Sequence, residues 1–178
     1  MVFDEKPLVN RVAESSLVTF NLEEYFPKAP IIGFDLKDFL FQGLILKEKD
    51  FRAALKEYQW SKLQDGYIAL HCSTDAIIPT WAFMLVAAYA TPYAKEIFMG
   101  NTDALLQHYY SEVLNKLNLG HLSGCRVVIK GCSNKPVPAS AYVDLTAKLQ
   151  PLAQSIMYGE PCSTVPIFKR PRELTTKS

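Results

Sequence analysis

The sequence predicts an α/β fold, a three-layer arrangement in which helices cover both faces of a mostly parallel sheet. Two patterns predict it: strand-like apolar runs alternate with stretches of helical spacing from Tyr67 onward, and one strand–helix–strand unit occurs twice. The length of 178 residues suits one domain with its own core. We therefore expect a single domain over residues 1–178, with residues 1–65 as an N-terminal extension packed on an α/β core of residues 66–170. Residues 171–178 are expected to form a loose tail.

The N-terminal extension carries signals for short elements. Short strands are expected at Ser16–Phe20 and Ile31–Phe34. Asp35 stands where it can cap a short helix that runs to Phe41. The apolar residues of Lys47–Tyr58 fall at helical spacing, which predicts an amphipathic helix.

The α/β core alternates regularly between strand and helix. The predicted strands are Tyr67–Cys72, Ala94–Met99, Arg126–Lys130, Gln154–Tyr158 and Val165–Phe168. The predicted helices are Pro79–Ala90, Thr102–Lys116 and Pro138–Leu149. Two of these helices begin at a proline, a residue favoured at the first helical position.

An internal repeat lies within this alternation. One constant offset aligns Pro79 with Pro138 and brings further identical or similar residues into register. The other aligned pairs are Ala82 with Ala141, Phe83 with Tyr142, Pro92 with Pro151, Ala94 with Ala153, Ile97 with Ile156 and Gly100 with Gly159. The repeat predicts a duplicated strand–helix–strand unit. The alternative is that two unrelated units share proline at helix starts and glycine after strands.

Composition and charge exclude several classes of function. The formal net charge of +1 argues against electrostatic binding of nucleic acid or a membrane surface. No apolar run is long enough to span a bilayer, and the N-terminus lacks the features of a signal peptide. We therefore expect a cytoplasmic protein whose four cysteines are thiols. The oligomeric state stays open, a homodimer included.

Three Cys-Ser pairs form the candidate site, and they are Cys72-Ser73, Cys132-Ser133 and Cys162-Ser163. Each pair follows or closes a predicted strand. Because ligands bind at the carboxyl edge of an open parallel sheet, we expect the three thiols to meet at that edge. Clustered thiolates repel each other unless a cation neutralises them. The pattern therefore predicts a metal site that holds zinc or an iron–sulfur cluster.

The same arrangement predicts a fourth metal ligand and structural roles for Cys125 and His71. Asp75 is expected to be the fourth ligand, with water, Glu160 or an external ligand as alternatives. Asp75 has a second interpretation, as the cap of the helix that begins near Pro79. Cys125 is expected to be a packed thiol at the opposite strand end, and His71 a hydrogen-bonded buried side chain.

Seven stretches spread over nearly the whole chain carry a family resemblance. They are Phe34–Leu40, Gly43–Leu46, Cys72–Ala82, Val128–Ser133, Pro136–Pro138, Ala141–Tyr142 and Gly159–Pro166. Together they resemble the bacterial family known as domain of unknown function 2480. The resemblance includes all three Cys-Ser pairs but not Cys125. Because members of that family accompany iron–sulfur assembly genes of the sulfur-mobilisation type, it implies iron–sulfur assembly proteins as partners.

These observations leave three functions open. We expect a metal-binding or iron–sulfur protein that uses Cys72, Cys132 and Cys162 and serves as an accessory to cluster assembly. One alternative is a thiol-dependent enzyme with an activated cysteine and no permanent metal. The other is a protein-interaction module whose cysteines are packed structural residues. No residue is assigned a catalytic role.

Overall fold

The computed structural model describes residues 17–131, 134–160 and 162–171. The strands among them are β1 (Leu17–Asn21), β2 (Ile31–Asp35), β3 (Tyr67–His71), β4 (Glu96–Met99), β5 (Arg126–Lys130), β6 (Ser155–Glu160) and β7 (Ser163–Lys169). The helices are α1 (Glu48–Glu57), α2 (Thr80–Ala90), α3 (Thr102–Lys116) and α4 (Ala139–Leu149). The chain divides into two compact units. Unit 2 is continuous over Pro27–Tyr110, whereas unit 1 takes residues from both sides of it, up to Phe26 and from Ser111.

Unit 2 contains a three-stranded parallel sheet in the order β2-β3-β4. The central strand β3 is buried along Tyr67–Leu70, which explains why its sequence is a continuous apolar run rather than an alternating one. Residues of α1 and α2 pack with alternate residues of β2 and β3 in one apolar cluster that includes Phe34, Leu55 and Val86. A smaller cluster on the other residues of the sheet includes Leu105 of α3.

Unit 1 contains a four-stranded sheet in the order β1-β5-β6-β7. The pairings β1–β5 and β5–β6 are parallel, and β7 folds back antiparallel on β6. The helix α4 buries Ala141, Leu145 and Leu149, which share one face because they are spaced four residues apart. Its apolar spacing in the sequence therefore reports the buried face of this helix.

The two parallel-sheet segments are built with matching local contacts. The Ala82 N–H donates to the Pro79 carbonyl at 2.9 Å, and the Ala141 N–H donates to the Pro138 carbonyl at 3.0 Å. Just before β3, the Gly66 N–H donates to the Leu63 carbonyl at 3.1 Å. Just before β5, the Cys125 N–H donates to the Leu122 carbonyl at the same distance, 3.1 Å. This correspondence is compatible with the duplicated unit that the sequence repeat predicts.

The α/β class and the mostly parallel pairing are confirmed, while the three-layer arrangement and the single-domain boundaries stay predictions. Residues 17–35 supply one strand to each sheet, since β1 pairs with β5 and β2 pairs with β3. The short helix expected to run from Asp35 to Phe41 is a 3-10 turn over Leu36–Phe39, capped by Asp35 as predicted. Residue 16, and residues 172–178 of the predicted tail, lie outside the described residues. In the part of the chain that the structure describes, no helix is long and apolar enough to cross a membrane.

Candidate functional site

The carboxyl edge of the unit 2 sheet brings two chemically active side chains together. Asp35 ends β2 and His71 ends β3, and the two residues are direct partners in the parallel register. Partners in a parallel pair project their side chains to the same face of the sheet. The His71 Nε2 lies 3.7 Å from Asp35 Oδ2, so the two groups form an ion pair when the imidazole is protonated.

Asp35 is held by several hydrogen-bond donors. Its Oδ1 accepts the backbone N–H groups of Lys37 and Ser73, each at 3.0 Å, and the Lys37 Nζ lies 3.4 Å from Oδ2. Partial burial acts to raise the pKa of the Asp35 carboxyl. The hydrogen bonds from the Ser73 side chain and from the two backbone N–H groups, together with the His71 charge, outweigh burial and lower this pKa to about 2. The carboxylate therefore stays ionised at every physiological pH.

His71 lines a cavity of about 390 Å³ at this edge of the sheet. The imidazole Nδ1 lies 3.2 Å from the Ala69 carbonyl oxygen, which fixes the ring against its own strand. The remaining lining residues are mostly apolar and include one thiol, and they are Leu70, Cys72, Thr74, Ala76, Ile78, Phe83, Met99 and Gly100. The cavity is thus mostly apolar, and Asp35, the ion-pair partner of His71, does not line it.

Unit 1 has a different set of charges at the matching strand ends. Asn21 stands where unit 2 has Asp35, and its register partner is Lys130. The Lys130 Nζ lies 3.1 Å from a Glu160 carboxylate oxygen, so these two side chains neutralise each other. The Glu23 carboxylate accepts the Asn134 N–H at 2.8 Å and ties the loop after β5 to the turn after β1.

A second and larger cavity, of about 730 Å³, lies in unit 1 between α4 and the β6–β7 hairpin. Four of its lining residues match lining residues of the unit 2 cavity at the offset of the sequence repeat. The pairs are Ile129 with Leu70, Val137 with Ile78, Tyr142 with Phe83 and Tyr158 with Met99. The unit 1 cavity extends further, because α4 contributes Thr146, Ala147 and Gln150 and the hairpin contributes Met157 and Ile167.

The prediction that the protein binds a metal ion or cluster through three convergent cysteines is wrong. Among the residues that the structure describes, no three His, Cys, Asp or Glu side chains are grouped so that they could hold a metal ion. Convergence of the cysteines requires a single sheet with one carboxyl edge, but the strands form two sheets. Cys72 follows β3 in the unit 2 sheet, whereas Cys162 is exposed in the turn between β6 and β7 of the other sheet. The zinc or iron–sulfur cofactor was expected from that convergence, whereas the iron–sulfur assembly partners were implied by the family resemblance, and both stay untested predictions.

The other residues of the predicted site are placed separately. Cys132 lies outside the described residues. Asp75 is exposed, and Pro79 is the cap residue of α2 without a side-chain capping bond, so Asp75 does not cap that helix. Glu160 pairs with Lys130, and Cys125 is half-buried with its thiol 3.8 Å from the His121 carbonyl.

Sequence reasoning missed two features of the sites. The pairing of Asp35 with His71 was missed, because it follows only once β2 and β3 are known to be neighbours. The apolar cavity on α4 was also missed, although Val143 gives a signal for it. This valine occupies a helix position that is 67% exposed, where a polar residue is the ordinary choice.

The fold and its cavities define a mixed α/β protein in which two mostly parallel sheets each carry a cavity beside a covering helix. The chain belongs to the family described as Protein of unknown function (DUF2480), whose model matches residues 6–170. No curated protein and no solved structure matches the chain.

Proposed function

We propose that the protein binds an uncharged apolar small molecule in the cavity between α4 and the β6–β7 hairpin. The observation that carries this proposal is the cavity itself, whose volume of about 730 Å³ falls within the usual range of ligand sites. Most of its lining is aliphatic or aromatic. A concave apolar surface of this size with a few polar groups is the common form of a small-molecule site.

The lining also indicates the chemistry of the ligand. None of the residues that line this cavity carries a charge. A charged ligand would lose its hydration there without gaining a partner, which costs several kcal/mol, so an uncharged ligand is favoured. Thr146 and Gln150, near the carboxyl end of α4, can form hydrogen bonds to one polar group on an otherwise apolar molecule.

Exposed apolar side chains on both walls support the same conclusion. Val143 on α4 is 67% exposed, and Ile167 on β7 is 53% exposed. A cluster of such residues facing one cavity marks a binding surface more often than does a single exposed residue. A bound apolar ligand would remove these side chains from water, and this burial stabilises the complex.

The neutral fluorophore N-phenyl-1-naphthylamine tests this proposal, because its emission rises when it enters an apolar site. We expect saturable binding to the full chain. Replacing Ala147 with Trp places a large ring in the cavity, and we expect it to weaken binding by about tenfold or more, since it removes much of the buried contact area.

The matched control is Ala88→Trp. Ala88 occupies the corresponding position on α2, is exposed, and does not line the unit 1 cavity. We expect this variant to bind the fluorophore as the unsubstituted protein does. Absence of saturable binding, or equal loss in the two variants, contradicts the proposal.

A further inference from the structure

The strand β4 lies at one edge of the unit 2 sheet, and among the described residues it pairs with β3 alone. We propose that this edge binds an extended peptide segment of another protein, which adds to β4 as an antiparallel strand and packs an aliphatic side chain against Met84 and Met99. An open strand edge is a ready template for such pairing. The edge belongs to unit 2, so the site is independent of the apolar ligand proposed for unit 1.

The unit 1 sheet contains a strand on the matching edge. At the offset of the sequence repeat, β4 corresponds to the first four residues of β6, and the two strands have the same register. Tyr67 pairs with Glu96 in unit 2, and Arg126 pairs with Ser155 in unit 1. On its other side β6 pairs with the antiparallel strand β7. In unit 2 the chain continues after Gly100 into α3, so it supplies no returning strand there.

The backbone of β4 is oriented for a second partner. Successive residues of a strand direct their backbone groups to opposite sides of that strand. The Gly100 N–H points toward β3, because it donates to the Leu70 carbonyl at 2.9 Å. The backbone groups of Met99 and Ile97 therefore point to the open side. An added strand can exchange hydrogen bonds with both residues.

Two exposed methionines stand where an added strand would pack. Met84 on α2 is 67% exposed, and Met99 on β4 is 69% exposed. They match Val143 and Tyr158, which line the unit 1 cavity together with Ile167 of β7. In unit 2 an incoming strand would supply the side chain that corresponds to Ile167. Methionine is flexible and polarizable, which suits a surface that accepts a peptide.

The charge at the start of β4 favours a basic residue in that segment. In unit 1, Lys169 of β7 is the register partner of Ser155. Glu96 stands at the Ser155 position in unit 2 and is exposed. The His108 Nε2 lies 3.4 Å from one carboxylate oxygen of Glu96, and the other oxygen can accept a further hydrogen bond. Opposite charges on directly paired residues stabilise an antiparallel pair, so a lysine at that position favours binding.

The probe is a synthetic peptide with the sequence of β7, acetyl-Ser-Thr-Val-Pro-Ile-Phe-Lys-amide. It is added to the full chain with carbon-13 in the methionine methyl groups, and the signals are followed by NMR. We expect saturable shifts of the Met84 and Met99 signals. Met157, which lines the unit 1 cavity, is expected to keep its signal in place.

Two methylated peptides test whether the segment binds as a strand. Val165 is the register partner of Tyr158, so in the bound peptide the corresponding valine lies opposite Met99 and directs its N–H to β4. The preceding threonine, which corresponds to Thr164, directs its N–H away. We expect N-methylation of the valine to weaken binding by about tenfold or more, because it removes a hydrogen bond and adds a clash. N-methylation of the threonine is the matched control and should leave the affinity unchanged.

A pair of protein variants tests the packing surface. We expect Met84→Lys to weaken peptide binding by about threefold or more, because it replaces an apolar contact with a charge. Leu44→Lys is the matched control, since Leu44 is 63% exposed and lies in the turn bridged by Phe41 and Ile45. This variant should bind the peptide as the unsubstituted protein does.

Four outcomes overturn the proposal. They are an unchanged Met99 signal, equal affinity for the two methylated peptides, equal affinity of the Met84→Lys and Leu44→Lys variants, and a shift of the Met99 signal when the protein is diluted without peptide. The last result would assign the edge of β4 to a second copy of the chain. The peptide comparison needs no substitution in the protein, so it decides the matter even where a variant fails to fold.

Discussion

Asp35 and Asn21 make the same local contact in the two units. Each ends the first strand of its sheet and accepts the backbone N–H of the residue two positions on, at 3.0 Å for Asp35 and 3.1 Å for Asn21. The side-chain oxygen caps a 3-10 turn in both cases. The difference is charge, because only the unit 2 residue is a carboxylate. Asp35→Asn therefore removes a charge and keeps the shape of the cap.

This relationship predicts how stability depends on pH. The folded-state pKa of Asp35, about 2, is below the ordinary value of 3.8, so its carboxylate contributes stability above about pH 4. That stability is lost as the pH falls toward 2. We expect Asp35→Asn to flatten the fall in the free energy of unfolding between pH 4 and pH 2, measured by urea titration. Equal slopes in the two proteins would contradict the shifted pKa.

The cap itself is tested by a smaller side chain. Asp35→Ala removes the acceptor for the Lys37 and Ser73 N–H groups, and we expect a loss of about 1 kcal/mol or more in the free energy of unfolding at pH 7. Asp38→Ala, on an exposed acidic residue of the same turn, is the control and should cost much less. Equal losses would mean that the hydrogen bonds of Asp35 contribute nothing specific.

The buried face of α4 predicts a large difference between two neighbouring positions. Leu145 is fully buried, so Leu145→Ala leaves a cavity and is expected to cost about 2–5 kcal/mol in the free energy of unfolding. Val143 lies on the same helix and is 67% exposed. Val143→Ala should cost well under about 1 kcal/mol, because it buries little in the free protein. Chemical denaturation of the two variants compares these values directly.

Gly159 occupies a position that a side chain cannot enter. Its φ of +118° disfavours any other residue, and an added Cβ would lie 2.6 Å from the Ser163 carbonyl oxygen in the hairpin. We expect Gly159→Ala to lower the thermal midpoint of unfolding by several degrees, since about 1 kcal/mol or more is lost.

Gly43 distinguishes backbone strain from steric collision as causes of the destabilisation expected for Gly159→Ala. It also has a positive φ, of +71°, but an added Cβ there meets nothing within 4 Å. Gly43→Ala therefore reports backbone strain alone, and its thermal midpoint should fall less than that of Gly159→Ala. If the two variants behave alike, the collision with Ser163 is unimportant.

The sequence predicted elements whose signals are local. Arg126–Lys130 and Thr102–Lys116 were placed at the observed boundaries, because an apolar run and a helical spacing report the burial of each element by itself. The cap at Asp35 was found for the same reason, since its acceptor and donor are two residues apart. The mostly parallel pairing followed from the alternation of these elements.

The site required knowledge of which strands share a sheet. The predicted cysteine cluster failed because β3, which precedes Cys72, and β6, which precedes Cys162, belong to different sheets, a fact that no local pattern encodes. The unit 1 cavity likewise depends on a strand pairing that no local pattern encodes. Ile167 reaches that cavity only because β7 returns antiparallel beside β6, and its sequence shows an ordinary short strand.

The most direct test of the apolar ligand site uses the methyl groups of the four methionines, labelled with carbon-13 and observed by NMR. Met157 lines the unit 1 cavity, Met99 lines the unit 2 cavity, and Met84 is exposed on α2. On addition of N-phenyl-1-naphthylamine, we predict a saturable shift of the Met157 signal while the Met84 and Met99 signals stay in place. Shifts at Met84 or Met99 with an unchanged Met157 would contradict binding between α4 and the β6–β7 hairpin.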